Sequence, residues 1–171
     1  MRMGQPVRVG SYFFGDRELF LLDLARPEDA PEALALQGSF FGCLLAWDAT
    51  HTTDESILTL ARRLLTAGCV YICCWGPDCE RVHDLIDQAH CDLNPSTGSV
   101  VMTTSHAEES LTEALWFLLN VAWPDPAFED GCGSSVGIAI ASGQWAAEIR
   151  AAFSDPSAFS ARVLTSEEGP A

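Results

Sequence analysis

From residue 40 onward, the chain alternates between continuous apolar runs and segments with helical periodicity. The apolar runs cover residues 40–47, 69–75, 99–104 and 135–141, and each is typical of a strand that is buried on both faces. Strands that alternate with helices through short turns are typical of βαβ units. The sequence therefore predicts an α/β fold, a three-layer sandwich with a mostly parallel, Rossmann-like sheet.

The segments on either side of this core predict its edges. Residues 1–24 contain two β-rich runs around Gly15-Asp16, a glycine-first pair suited to a two-residue hairpin turn, so we expect a hairpin at one edge of the sheet. Residues 25–39 predict a loop with at most one helical turn. Residues 40–153 form the predicted βα core, and 154–171 are predicted to be a frayed tail. With 171 residues in all, we expect a single domain.

Helix starts are predicted from local capping signals. Thr52-x-x-Glu55 precedes the first helical segment and Ser105-x-x-Glu108 the third, and both match the capping-box pattern. The third helix is expected to run to about Ala122, where Pro124 stops it.

The charge balance excludes several classes of partner and enzyme. Nine Lys+Arg against 24 Asp+Glu give a net charge of −15, which disfavours nucleic acid and membrane surfaces as partners. All nine basic residues are Arg, so a phosphate-loop lysine, a Schiff-base lysine and a lysine general base are excluded. Neither G-x-G-x-x-G nor G-x-S-x-G occurs where a dinucleotide site or a hydrolase nucleophile needs it. We expect no cofactor.

The apolar segments also bear on location. No apolar run approaches the roughly 18 residues that span a bilayer, and the opening lacks the apolar core of a signal peptide. The chain has seven cysteines, and those in the strand at 69–75 are expected to behave as small core residues in a reducing compartment. These features predict a cytoplasmic protein.

Two imidazoles and two carboxylates follow the predicted core strands. Asp48 and His51 follow the first strand, Asp78 the second and His106 the third. Ligands of open α/β sheets bind beyond the carboxyl ends of parallel strands, so these side chains are expected within about 12 Å of one another. They could perform acid–base chemistry in a small-molecule hydrolase or transferase. Helix capping is the alternative role for the same residue types.

Metal binding is not expected. Cys69 and Cys73 are predicted to lie on one strand face about 13 Å apart, too far to share an ion. A second candidate set of metal ligands is a stripe of four side chains on the second helix: Cys79, His83, Asp87 and His90. Amphipathic helices often carry such residues beside their apolar face. Cys79 also has the helix-start position of an activated thiol, although a quiet packing role explains it equally.

The third helix is apolar on nearly every side. Trp116, Phe117 and Trp123 lie off its core stripe, and a helix of this kind is either deeply buried or covered by a partner. Tryptophan is enriched at interface centres, so these residues predict a protein partner or a homodimer. The leading hypothesis is a small acidic binding or accessory protein of bacterial type: an inhibitor, an immunity-type protein or a subunit of a larger system.

Overall fold

The computed structural model describes residues 4–94 and 98–167. The strands are β1 (Val7–Tyr12), β2 (Arg17–Leu24), β3 (Phe40–Ala46), β4 (Cys69–Trp75), β5 (Met102–Ser105) and β6 (Cys132–Ile140). The helices are α1 (Asp54–Thr66), α2 (Cys79–Leu93), α3 (Leu111–Asn120), α4 (Gly143–Ser154) and α5 (Pro156–Glu167), with short 3₁₀ turns at Pro27–Asp29 and Glu129–Gly131. No helix in these ranges has the length and apolar character that a bilayer crossing requires.

All six strands form one sheet in the order β1-β2-β6-β3-β4-β5. The strands β2 to β6 are mutually parallel, and β1 pairs with β2 in the antiparallel sense. Helices α1 and α2 cover one face, and α3, α4 and α5 cover the other, so that two apolar clusters enclose the sheet. The predicted α/β fold with a hairpin at its edge is confirmed. Only β1 is antiparallel, because β2 pairs in parallel with β6.

The hairpin turn differs from its prediction. Tyr12 pairs with Arg17, so four residues rather than two connect the strands. The amide of Asp16 donates to the carbonyl of Phe13, and both Gly15 and Asp16 have positive φ angles. Gly15 and Asp16, with their left-handed backbone conformations, therefore close a four-residue loop rather than the predicted two-residue turn.

Both predicted capping boxes are displaced along the chain. Thr53, not Thr52, caps α1 and accepts a hydrogen bond from the Ser56 amide. Helix α3 begins later than predicted because Ser110 and Glu113 form its capping box. The amide of His106 instead bonds the carbonyl of Cys74 and prolongs the β4–β5 pairing, which leaves Ser105 at the end of a strand.

The cysteines of β4 are buried, as predicted, but Cys69 and Cys73 face opposite sides of the sheet. The register between β3 and β4 shifts at Val70, where Phe41 pairs with Cys69 and Gly42 pairs with Tyr71. A bulge of one residue reverses the alternation of side chains along the strand. Cys69 consequently lies against Cys43, with 3.6 Å between the two sulfur atoms.

The segment predicted as a tail contains α5, so that prediction is wrong for Pro156–Glu167. Asp155 accepts a hydrogen bond from the Ala158 amide at the helix start, and Pro156 occupies the first helical position. Phe159 and Val163, four residues apart, are buried against the α3 side of the sheet. The remainder of that prediction, residues 168–171, lies outside the described residues.

Candidate functional site

The four residues predicted as an acid–base site lie at the carboxyl edge of the sheet, where the parallel strands end. Asp48 and His51 follow β3, Asp78 follows β4 and His106 follows β5, and these three strands are neighbours. The topology thus places the residues at the edge that the sequence indicated. Their hydrogen bonds and burial determine what they can do there.

His106 is a buried side chain, with only 3% of its surface exposed. Its Nδ1 lies 2.8 Å from a carboxylate oxygen of Glu109, and its Nε2 lies 2.9 Å from the hydroxyl of Thr104. The ring also packs edge-on against Phe117 at 4.7 Å between centroids. Both nitrogens are therefore occupied within the fold, and the imidazole does not reach the surface where a substrate would bind.

Asp48 and His51 belong to the exposed connection between β3 and α1. The Asp48 carboxylate accepts hydrogen bonds from the hydroxyl and the amide of Thr50, which hold the pKa of that carboxyl below its usual range. This is a local turn closed by an aspartate side chain. His51 is exposed.

Asp78 is held by Arg81, which the sequence analysis did not single out. The guanidinium bonds Asp78 at 2.7 Å and Asp54 at 2.5 Å, and it donates to the carbonyls of Ala49 and Thr52. The two carboxylates raise the pKa of Arg81. One arginine thereby ties the β3–α1 connection to the start of α2. A cation three residues after an aspartate at a helix start was the available sequence signal.

Within residues 4–94 and 98–167, no hydrogen bond or ion pair joins any two of the four predicted residues. A pocket of about 310 Å³ does open at this edge, beside Asp78, Cys79 and Glu109. Neither predicted histidine lines it. The carboxyl edge therefore presents a shallow acidic pocket without the imidazole that the predicted acid–base site required.

The stripe on α2 is engaged in local contacts. The hydroxyl of Thr103 donates to Asp87 at 2.6 Å and lies 3.2 Å from His83 Nε2. His90 lies beside Asn94, one turn further along, and Cys79 is buried near the hydroxyl of Ser105. Within the described part of the chain, no three potential ligands are gathered as a metal ion would require.

We expect the purified protein to contain far less than one equivalent of zinc after dialysis, because its cysteines are divided between the two faces of the sheet. Elemental analysis of the protein, expressed in zinc-supplemented medium, measures this directly. One retained equivalent would show that the thiols or the α2 stripe rearrange to bind metal.

The opposite edge of the sheet, which we call the amino edge, carries a group of exposed apolar side chains. We define the amino-edge patch as Phe13, Phe14, Val121 and Trp123. Phe14 and Trp123 meet edge-on with 6.0 Å between ring centroids, although they are far apart in sequence. Phe13 is 79% exposed and Trp123 is 41% exposed. A hairpin loop and the end of α3 thus present aromatic surface to solvent together.

The amino-edge patch is anchored to the body of the protein. The hydroxyl of Tyr12, directly before Phe13, donates to the side chain of Asn120 at 2.7 Å. The Asn120 amide in turn donates to the hydroxyl of Ser160 on α5. These bonds join the hairpin, α3 and α5, so the aromatic side chains extend from a fixed support.

Two of the three residues predicted for an interface are partly buried. Trp116 and Phe117 pack against the apolar cluster on the α3 side of the sheet. Helix α3 ends at Asn120, so Trp123 lies beyond it and does not continue a helical face from Trp116. Helix α5 covers much of α3, so the aromatic surface that stays exposed for an interface is at Trp123 and the hairpin loop rather than on the face of the helix. No spacing pattern in the sequence indicated that Phe13 and Phe14 would join this surface.

A protein-family model described as Domain of unknown function (DUF7684) matches residues 19–156, more than half of the chain. The matched range contains β3 to β6, most of β2 and α1 to α4, and it includes Trp123 but not Arg17. Phe13 and Phe14 precede it, and nearly all of α5 follows it. A search of curated proteins found no match.

Proposed function

The chain belongs to the DUF7684 family, and we propose that it is a small acidic binding protein that docks a basic protein partner through the amino-edge patch. The contact between Phe14 and Trp123 carries this proposal, because it assembles exposed aromatic surface from two distant segments. Aromatic side chains that remain in water are disfavoured by about 25 cal/mol per Å² of apolar area. A partner that covers them removes this cost.

The charges around the amino-edge patch favour a basic partner. Asp16 lies in the hairpin loop, and Glu129 and Asp130 lie in the connection that follows Trp123; all three are exposed. None of them forms an ion pair within the described ranges. An apolar centre with an acidic rim is complementary to an apolar surface with Arg or Lys at its periphery.

The same charges disfavour a homodimer. A two-fold contact through the amino-edge patch would bring two copies of these carboxylates together, and each chain carries a net charge of −15. Like charges across an interface cost binding free energy. We therefore favour a different protein as the partner. All seven cysteines are free, which fits an encounter in a reducing compartment such as the cytoplasm.

The proposal is tested by capture from lysate of the native host with three immobilised proteins. The double variant Phe14→Ala/Trp123→Ala should lose the partner that the unsubstituted protein retains, with affinity at least about 30-fold weaker, which corresponds to about 2 kcal/mol. The control is Leu93→Ala, which removes an equally exposed apolar side chain from the opposite face of the sheet. It should retain the partner.

Two further measurements decide between the alternatives. Binding of the partner should weaken as salt is raised, because charge attraction is screened. Light scattering should show a monomer of 18.5 kDa for the isolated protein. A dimer that the double variant dissolves would overturn the basic-partner proposal in favour of self-association. Capture that is unaffected by the double variant would remove the amino-edge patch from the function.

A further inference from the structure

Arg17 is a buried arginine at the start of β2, with only 5% of its surface exposed. One terminal nitrogen donates to the Ser135 hydroxyl at 3.0 Å, and the other donates to the Leu119 carbonyl at 2.7 Å. A longer contact of 3.4 Å reaches the Leu118 carbonyl. The guanidinium thus binds the last carbonyls of α3, where a helix favours a cation.

This arrangement does not balance the charge of Arg17. A helix C-terminus supplies about half of a negative charge, and no carboxylate contacts the guanidinium within the described ranges. Burial lowers the pKa of Arg17. Its Nε is buried without any hydrogen-bond partner. Buried charges in proteins are normally paired, so this guanidinium favours an anion that comes within its reach.

A pocket of about 260 Å³ lies beside Arg17. Its other walls are formed by Gly15, Trp123, Pro124, Glu129 and Cys132. A Cβ atom on Gly15 would lie 3.1 Å from Arg17 Nε and 3.1 Å from Trp123 Cζ3. The unpartnered nitrogen, the glycine and the indole therefore meet at one corner of the pocket, where a side chain at position 15 would crowd both Arg17 and Trp123.

We propose that this pocket binds a small apolar monocarboxylate, with its carboxylate facing Arg17 and its apolar body against Trp123 and Pro124. The single guanidinium compensates one negative charge, and the Glu129 carboxylate in the same wall repels a dianion such as a phosphate monoester. The indole and the proline ring supply an apolar surface for the body of the ligand. The site rests on Arg17 and does not depend on the proposed protein partner.

Benzoate serves as the probe, with benzyl alcohol as its uncharged counterpart. Calorimetric titration of the full chain should show saturable binding of benzoate and at least about tenfold weaker binding of benzyl alcohol, because only the anion pairs with the buried guanidinium. Tryptophan fluorescence should change with the same dissociation constant, since Trp123 lines the pocket.

A matched pair of variants tests the location of the site. Glu129→Gln removes the carboxylate in the pocket wall and should tighten benzoate binding about fivefold, with little effect on benzyl alcohol. Asp130→Asn removes the same charge from the next residue, which does not line the pocket, and should change benzoate affinity less than about twofold.

Three results would overturn the proposal: no saturable benzoate binding by either the unsubstituted protein or Glu129→Gln, equal affinity for benzyl alcohol, or equal effects of Glu129→Gln and Asp130→Asn. Arg17→Met should abolish benzoate binding where circular dichroism shows that it folds. If it does not fold, the Glu129 and Asp130 pair decides alone. Benzoate binding is measured on the isolated protein and partner capture is measured without benzoate, so each proposal can fail while the other holds.

Discussion

His106→Ala is expected to lower the free energy of unfolding by about 2–3 kcal/mol, as measured by urea denaturation. The substitution leaves a cavity beside Phe117, against which the imidazole packs. It also removes the hydrogen-bond partner of the partly buried Thr104 hydroxyl. These contacts make the stabilisation of the fold the main role of His106, although a histidine can also perform acid–base chemistry.

His51→Ala is the matched control, because His51 is an exposed histidine at the same edge of the sheet. We expect it to change the free energy of unfolding by less than about 0.5 kcal/mol. If His106→Ala were as harmless as the control, its contacts with Glu109 and Thr104 would be dispensable. The residue would then be free for the acid–base role that the sequence first suggested.

Strands β3 and β4 could be predicted because burial on both faces leaves a direct record in sequence. The predicted buried strand 99–104 is instead the short edge strand β5, Met102–Ser105, in which no residue is buried. A parallel strand between two helical layers needs apolar residues at successive positions, and β3 and β4 lie within one residue of their predicted bounds. Strand β6 begins at Cys132, earlier than predicted. Its first residues are small and polar, and the serine side chains are buried by contacts that no local pattern specifies: Ser134 donates to the Gln37 carbonyl, and Ser135 accepts from Arg17.

The capping boxes show where local patterns become ambiguous. Ser105-x-x-Glu108 and Ser110-x-x-Glu113 have the same form, and either can begin a helix. The hydrogen bond from the His106 amide to the Cys74 carbonyl decides between them, because it commits the first of these segments to the sheet edge. Local sequence does not determine the bulge at Val70 either, since the bulge depends on the register between β4 and β3.

The candidate sites also have one part that the sequence predicts and another that only packing determines. Topology alone places Asp48, Asp78 and His106 at one edge, and this part of the prediction follows from the order of parallel strands. Their actual partners are set by packing, which buries His106 and binds Asp78 to Arg81. The sequence indicated Trp123 for an interface, but its contact with Phe14 could not be predicted, because this contact joins a hairpin loop to the segment that follows a distant helix.

Phe159→Ala is expected to lower the free energy of unfolding by about 3 kcal/mol, the lower end of the range for a buried phenylalanine. Phe159 is buried in the apolar cluster that α5 shares with α3 and α4. Its neighbour Ser160 accepts the hydrogen bond from Asn120 that joins the two helices. The loss therefore measures how firmly α5 covers the apolar surface of α3.

Leu164→Ala is the control within the same helix, because Leu164 is 50% exposed. We expect it to change the free energy of unfolding by less than about 0.5 kcal/mol, since alanine also favours helix. If both variants lost the same small amount of unfolding free energy, α5 would not pack against α3 in solution. Trp116 and Phe117 would then be uncovered, and the partner surface would extend along α3. A large loss for Phe159→Ala alone confines the exposed aromatic surface on this side to the hairpin loop and Trp123.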